Sequence, residues 1–205
     1  MLESCINTLF MSSEATIIDS QMTSEEALVP NPENPAPQEI LDMMEVLSVR
    51  HYGFDGLIHS GQIVMNKDVI EDIKKFFDLA LELKFPIKNV IPINDKRYLW
   101  DDNQSCEDNN SSGFNYRLVA GTNRLSKHSN GRAFDINPVQ NIYVRYENGK
   151  EVFRAPTDGL YDKNAPGTLT SNYSLVILIK NLGWEWGGDW TPETGREDYQ
   201  HFEKF

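Results

Sequence analysis

Hydrophobic residues recur at helical spacing in one long stretch of this chain. Val69, Ile70, Ile73, Phe76, Phe77, Ala80 and Leu81 fall on one side of a helix expected over residues 67–83. Asn66 stands where its N-cap belongs. A second helical pattern covers residues 171–182 and meets Gly183, a residue suited to a left-handed C-terminal cap. Between the two the period shortens. Residues 141–154 predict a hairpin, with Ile142, Val144 and Tyr146 answered by Val152 and Phe153 across Glu147-Asn148-Gly149. Short strands or strand edges are expected at residues 117–120, 133–137 and 201–205. Residues 101–113 are polar and read as a surface loop. Helical and alternating patterns thus mix along the chain, the mark of an α+β fold with the first helix packed on a sheet.

Composition narrows this picture without redrawing it. The 205 residues, 40% of them hydrophobic, are enough for one domain with its own core. Nothing indicates a repeat or a coiled coil, and no run of eighteen apolar residues predicts a membrane span. Charge is uneven. Residues 1–49 hold nine of the 31 acidic residues and none of the 19 basic ones, so they account for −9 of the net −12. Without a basic stripe the chain is a poor candidate for nucleic acid, whose phosphates demand Lys and Arg. Pro30, Pro32, Pro35 and Pro37 mark an extended linker. We therefore expect a flexible acidic leader at residues 1–40 and a folded domain at residues 41–205. Met1 to Phe10 has neither the basic start nor the apolar core of a secretory signal, so the export route stays open. A pairing of Cys5 with Cys106 also stays open.

Two short segments carry candidate chemistry. Ser126-Lys-His128-Ser-Asn-Gly131-Arg-Ala133-Phe-Asp135 places a histidine and an aspartate on either side of an Asn-Gly turn, which lets the chain fold back on one ion. Asp198-Tyr-Gln-His201-Phe-Glu203 adds a second imidazole, three residues after a carboxylate. Two imidazoles and a carboxylate, His128, Asp135 and His201, make the donor set of a catalytic zinc, which leaves a fourth corner open. A closed Cys-rich site is excluded by the two cysteines. Asp198 stands where a general base would face water activated by the metal.

These segments, with Gly183-Trp-Glu-Trp-Gly187-Gly188-Asp189-Trp190 between them, resemble the LAS-type zinc peptidases of bacterial cell walls. That group comprises D-alanyl-D-alanine carboxypeptidases, vancomycin-resistance dipeptidases and phage endolysins acting as L-alanyl-D-glutamate endopeptidases. The chain looks closest to the endolysin-like and carboxypeptidase-like branch. The resemblance runs from Phe54-Asp-Gly to the C-terminus. It implies the small antiparallel sheet with flanking helices of the Hedgehog/D-Ala-D-Ala-peptidase-like zinc fold. Residue by residue it implies zinc (Zn2+) ligands at His128, Asp135 and His201, and Asp198 as base. It adds Arg117 facing the developing oxyanion and Ser126 as a substrate contact. The implied partner is the peptidoglycan stem peptide, met by a monomer in the cell envelope or after secretion. Gln200 departs from the apolar residue of many relatives, and Asp198 from the Glu of some branches.

Plainer readings stand beside these. His51 and His59, taken singly, are surface or packed histidines. Asp135 alone is a turn carboxylate, Asp198 a solvated charge, and Arg117 a structural ion-pair partner. Trp184, Trp186 and Trp190 are core and cleft wall. A catalytically silent zinc-containing binding module is the alternative function; a base beside the metal argues against it.

Overall fold

The computed structural model describes residues 16–119 and 122–205. In chain order its elements are β1 (Ile17–Ile18), α1 (Ser24–Ala27), α2 (Gln38–Leu41), β2 (Met44–Tyr52), β3 (Ile58–Asn66), α3 (Ile70–Glu82), β4 (Asn89–Val90), α4 (Asp102–Glu107), β5 (Asn110–Ser111), β6 (Ala133–Asp135), β7 (Tyr143–Glu147), β8 (Lys150–Ala155), α5 (Ser174–Asn181), β9 (Glu185–Trp186), β10 (Arg196–Asp198) and β11 (His201–Glu203). The result is a mixed α+β architecture of small sheets. Their strand orders are β1-β3-β2, β10-β7-β8 and β6-β11-β9, with a parallel pair β4-β5.

The long helix forms as its pattern predicts. Asn66 caps the turn that leads into it, accepting from the Asp68 amide, and α3 buries Ile70, Ile73, Phe76, Phe77 and Ala80. Each large apolar side chain so buried contributes about 1.5–3 kcal/mol. Phe76 meets Phe134 and Phe202 edge-on, and those two rings stack at 5.0 Å between centroids. Phe134 lies on β6 and Phe202 on β11, so the same two strands that carry Asp135 and His201 are anchored in the core. Strand alternation then turns the neighbouring Asp135 and His201 to the other face.

Helix α5 is shorter than its pattern, and Gly183 follows it at φ 86°. The hairpin β7-β8 turns at Asn148 and Gly149, both left-handed (φ 52° and 72°). Only its β7 side is covered: Val144 is buried, whereas Val152 and Phe153 of β8 are exposed. Residues 117–119 form no strand beyond a single bridge from Leu118 to Leu125, and Ala120 lies outside the described residues.

Two polar stretches behave differently from expectation. Residues 101–113, read as a surface loop, contain α4 and β5, and Ser105 with residues 109–111 are buried. Their polarity serves internal hydrogen bonds. Asn110 accepts from the Ile91 amide at 3.0 Å and donates to the Ile91 carbonyl and the Ser105 hydroxyl at 2.9 and 3.0 Å. In the acidic leader, residues 16–40 lie against the first sheet. Strand β1 pairs parallel with β3, and Met22, Leu28 and Ile40 pack with buried Ala27, Met44 and Val64. Gln62 satisfies this chain segment, accepting from the Met22 amide and the Ser20 hydroxyl and donating to the Met22 carbonyl. Residues 1–15, Cys5 among them, lie outside the described residues. No described helix is long and apolar enough to cross a membrane.

Candidate metal centre

Register brings the three candidate ligands together. Antiparallel pairing of β11 with β6 sets His201 directly opposite Asp135, and Phe202 opposite Phe134. His128 arrives on a 3-10 turn, residues 127–130, whose end is Gly131 at φ 62°. A Cβ at Gly131 would stand 2.6 Å from the Asn66 amide nitrogen, which donates to the Gly131 carbonyl. Only glycine fits there. The side chain of Asn66 also donates to the Asn130 carbonyl, so the start of the α3 segment and the His128 turn share one residue.

The donor atoms face one another. His128 Nε2 lies 3.2 Å from His201 Nδ1 and 3.3 Å from an Asp135 oxygen, whose other oxygen is 3.0 Å from His201 Nδ1. Partners on the far sides of the rings set the tautomers. The Gly113 carbonyl accepts from His128 Nδ1 at 2.6 Å, and Glu203 sits 3.1 Å from His201 Nε2. With an acceptor on its far side, each ring could keep a proton outward and turn a lone pair inward once an ion displaced the inward proton, the arrangement of an imidazole ligand with an outer acceptor. This donor set fits zinc, and His128, Asp135 and His201 are the residues that would hold it.

Electrostatics sharpen the site. Burial opposes charge on Asp135, yet His128 and His201 hold its pKa well below the usual carboxylate range. Burial also opposes charge on His201, but hydrogen bonds to Asp135 and Glu203 raise its pKa to about 10. A cation therefore competes with a proton for the same anionic pocket, and its affinity falls with pH.

Asp198 differs. Burial, with the negative charge of Asp135 added and the histidines opposing, pushes its carboxyl up to about 7. Its Oδ1 is buried without a hydrogen-bond partner. The residue ends β10 opposite Tyr143, and the backbone of Gly187 passes so close that a Cβ there would meet the Asp198 carbonyl at 2.4 Å.

Arg117 approaches from the segment after β5. Its amide donates to Ser129 Oγ at 3.0 Å, and its carbonyl accepts from the Ser126 amide and from Ser129 Oγ. Its guanidinium pairs with Asp102 at 2.9 Å, while its buried Nε has no partner. Ser126 is buried, and its hydroxyl accepts from the His128 amide at 3.3 Å, which makes it a cap of the ligand turn. Trp184 and Trp186 lie in the core, and Trp190 stands against the His201 ring at 5.7 Å. Cys106 is close by, its Sγ 3.9 Å from Gln200 Oε1. Burial and nearby carboxylates keep that thiol protonated well above its usual range.

Comparison with known families decides what this arrangement resembles. Residues 120–204 match the D-alanyl-D-alanine carboxypeptidase family. The match contains His128, Asp135, Asp198 and His201, and bears out the resemblance to LAS-type cell-wall peptidases on which the motifs were read. It starts later than the sequence resemblance, leaving Phe54 to Val119 and with them Arg117 outside. No curated protein and no solved structure matches the chain. Over residues 120–204 the chain is similar to the D-alanyl-D-alanine carboxypeptidase family.

Sequence reading missed three contributors to this carboxypeptidase-like site. Glu203 ends the second motif two residues from His201, a spacing that along a strand means the same face. The Gly113 carbonyl and the Asp102 partner of Arg117 were hidden in the segment taken for a surface loop. A second cluster, Asp19 with His51 and His59, went unread as a group.

Proposed function

We propose that the chain is a zinc-dependent peptidoglycan peptidase that hydrolyses a peptide bond next to a D-amino acid in the stem peptide. The observation that carries this reading is the buried, partnerless oxygen of Asp198 beside three converging donor atoms. A binding module has no use for such a carboxylate, raised to about 7 and so able to take up and give back a proton near neutrality. In this reading His128, Asp135 and His201 hold the ion in the Hedgehog/D-Ala-D-Ala-peptidase-like fold, within a domain of residues 41–205 against which residues 16–40 dock. When bound, zinc supplies Lewis acidity toward the scissile carbonyl and an acidified water.

Asp198 takes the proton of the attacking water as the new C–O bond forms. It then passes that proton to the departing amine as the C–N bond breaks. Arg117 donates toward the oxyanion, and its permanent charge suits that task. Its partial exposure supports the role, since 30% of the side chain is accessible and only one guanidinium nitrogen pairs with Asp102. Ser126 acts on the substrate side through the turn it caps. Chains of this kind work at the cell envelope or outside the cell.

Both an L-alanyl-D-glutamate endopeptidase and a D-alanyl-D-alanine carboxypeptidase agree with the site, and the segments at residues 101–113 and 155–170 border the difference. Purified muropeptides digested with the intact protein and with Asp198→Ala, with products weighed, test the proposal. Hydrolysis is expected only with the intact protein, and a loss of roughly 10²–10⁴-fold in the variant. Free D-Ala as sole product identifies the carboxypeptidase. Zinc in both proteins with hydrolysis in neither sinks the enzyme reading in favour of the silent module.

A further inference from the structure

His51 and His59 belong to the second of two donor clusters found among the described residues. His51 and His59 are direct cross-strand partners on β2 and β3, with ring centroids 5.3 Å apart and nearly parallel. Asp19, one residue past β1, is fixed by its amide donating to the Ser60 carbonyl at 2.9 Å. Its two carboxylate oxygens divide between the rings, 2.9 Å from His51 Nε2 and 2.9 Å from His59 Nδ1. Behind His59, Asp55 faces Nε2 at 3.1 Å. Gly53 makes that approach possible, since a Cβ there would stand 2.5 Å from Asp55 Oδ1 and 2.6 Å from His59 Nε2.

We propose that Asp19, His51 and His59 form a second metal site, for zinc or a similar first-row divalent ion, that ties the N-terminal segment to the first sheet. Three observations carry it. All three donor atoms lie within 4.8 Å of one another, as do those of the first cluster. An outer carboxylate, Asp55, holds the far nitrogen of His59, as Glu203 does for His201; this fixes the ring and strengthens the inward lone pair. Finally, His51 is fully buried and the Asp19 side chain is only 9% accessible, and a carboxylate enclosed between two imidazoles is stabilised by a positive charge among them. Arg97 gives its guanidinium to the Asp19 carbonyl instead. Imidazole nitrogens with one carboxylate select zinc, copper or nickel over magnesium or calcium.

The rival occupant of the same place is a proton, with His59 as an imidazolium between Asp19 and Asp55 and His51 donating to Asp19. The orphaned Nδ1 of His51 leans toward that rival, because a metal on Nε2 would leave an Nδ1–H without an acceptor. Metal counting decides between them. The full chain is stripped with chelator, titrated with micromolar zinc and desalted, and bound metal is measured by mass spectrometry. Two equivalents are expected in the wild type, one in His128→Ala/His201→Ala, and one in His59→Gln. One equivalent in the wild type, or a second that binds only at millimolar zinc, overturns the proposal and leaves the proton.

Should either histidine variant fail to fold, Asp55→Asn keeps every ligand and is expected to weaken only the second equivalent, roughly tenfold. Unchanged zinc isotherms for Asp55→Asn count against the site. Because the readout is metal content, it stands whether or not the chain hydrolyses muropeptides.

Discussion

The two clusters share a donor set, two imidazoles and one carboxylate, yet they are built into different surroundings. The first sits on β6 and β11, whose Phe134 and Phe202 lie in the main core, and it has Asp198, Arg117 and Trp190 around it. The second sits where a hairpin meets the N-terminal segment, with Asp55 and Arg97 as its neighbours. In the first, carboxylate and guanidinium groups beyond the ligands have atoms left unpaired; in the second, the unpaired atom belongs to a ring that is itself a ligand. The lesson is that the donor set says where an ion sits, and the uncommitted groups beside it say whether chemistry follows. We assign catalysis to the first and fastening to the second on that difference.

The support of the first cluster is the place to strike hardest. Phe134→Ala removes a fully buried ring from between Phe76, Phe202 and Trp184 and should cost about 3–5 kcal/mol of unfolding free energy, read from the denaturant midpoint. A loss under about 1 kcal/mol would mean that the ligand strands do not depend on the core. Next comes the guanidinium that Asp102 holds by one nitrogen. Arg117→Ala should lower kcat on muropeptides by roughly 10²–10³-fold while the first zinc equivalent is retained. If zinc is lost along with activity, Arg117 belongs to the architecture and the contrast between ligands and uncommitted groups weakens.

A subtler change tests position alone. Gly187→Ala inserts a methyl where the Asp198 backbone passes and should push that carboxylate aside, lowering kcat by up to about 10²-fold with metal content unchanged. Full activity in this variant would show that Asp198 tolerates displacement, which a positioned base does not.

How much of this was legible depended on how local each feature is. His128, Asp135 and His201 announced themselves by residue type and short spacing, and α3 by its period. The opposition of His201 to Asp135 was not legible, because it comes from pairing strands distant in sequence, and no local pattern sets that register. Residues 101–113 misled for a related reason. Asn110 and Ser105 look like solvent-seeking residues until the Ile91 backbone they satisfy is in place. The second cluster was closer to readable. His51 and His59 lie symmetrically about Asp55, as the two arms of one hairpin would place them, but each histidine was weighed alone and Asp19 lay in a leader taken for flexible.

The outer carboxylates give the comparison its finest test. Glu203 stands to His201 as Asp55 stands to His59, one carboxylate holding the far nitrogen of one ligand ring. They differ in exposure: 13% of the Glu203 side chain is accessible, against 47% for Asp55. Water around Asp55 screens its hold on the ring, and a water molecule replaces it readily once it is neutralised. Glu203→Gln should therefore weaken the first zinc equivalent by roughly 10–100-fold, and Asp55→Asn the second by only about tenfold, the low end of what outer-shell changes cost. Isotherms for the two variants, each read against the other site in the same protein, measure the ratio directly. Equal effects would mean that burial of the outer carboxylate does not matter. A larger effect at Asp55 would reverse the order and show that exposure of the outer carboxylate does not weaken its hold on the ring.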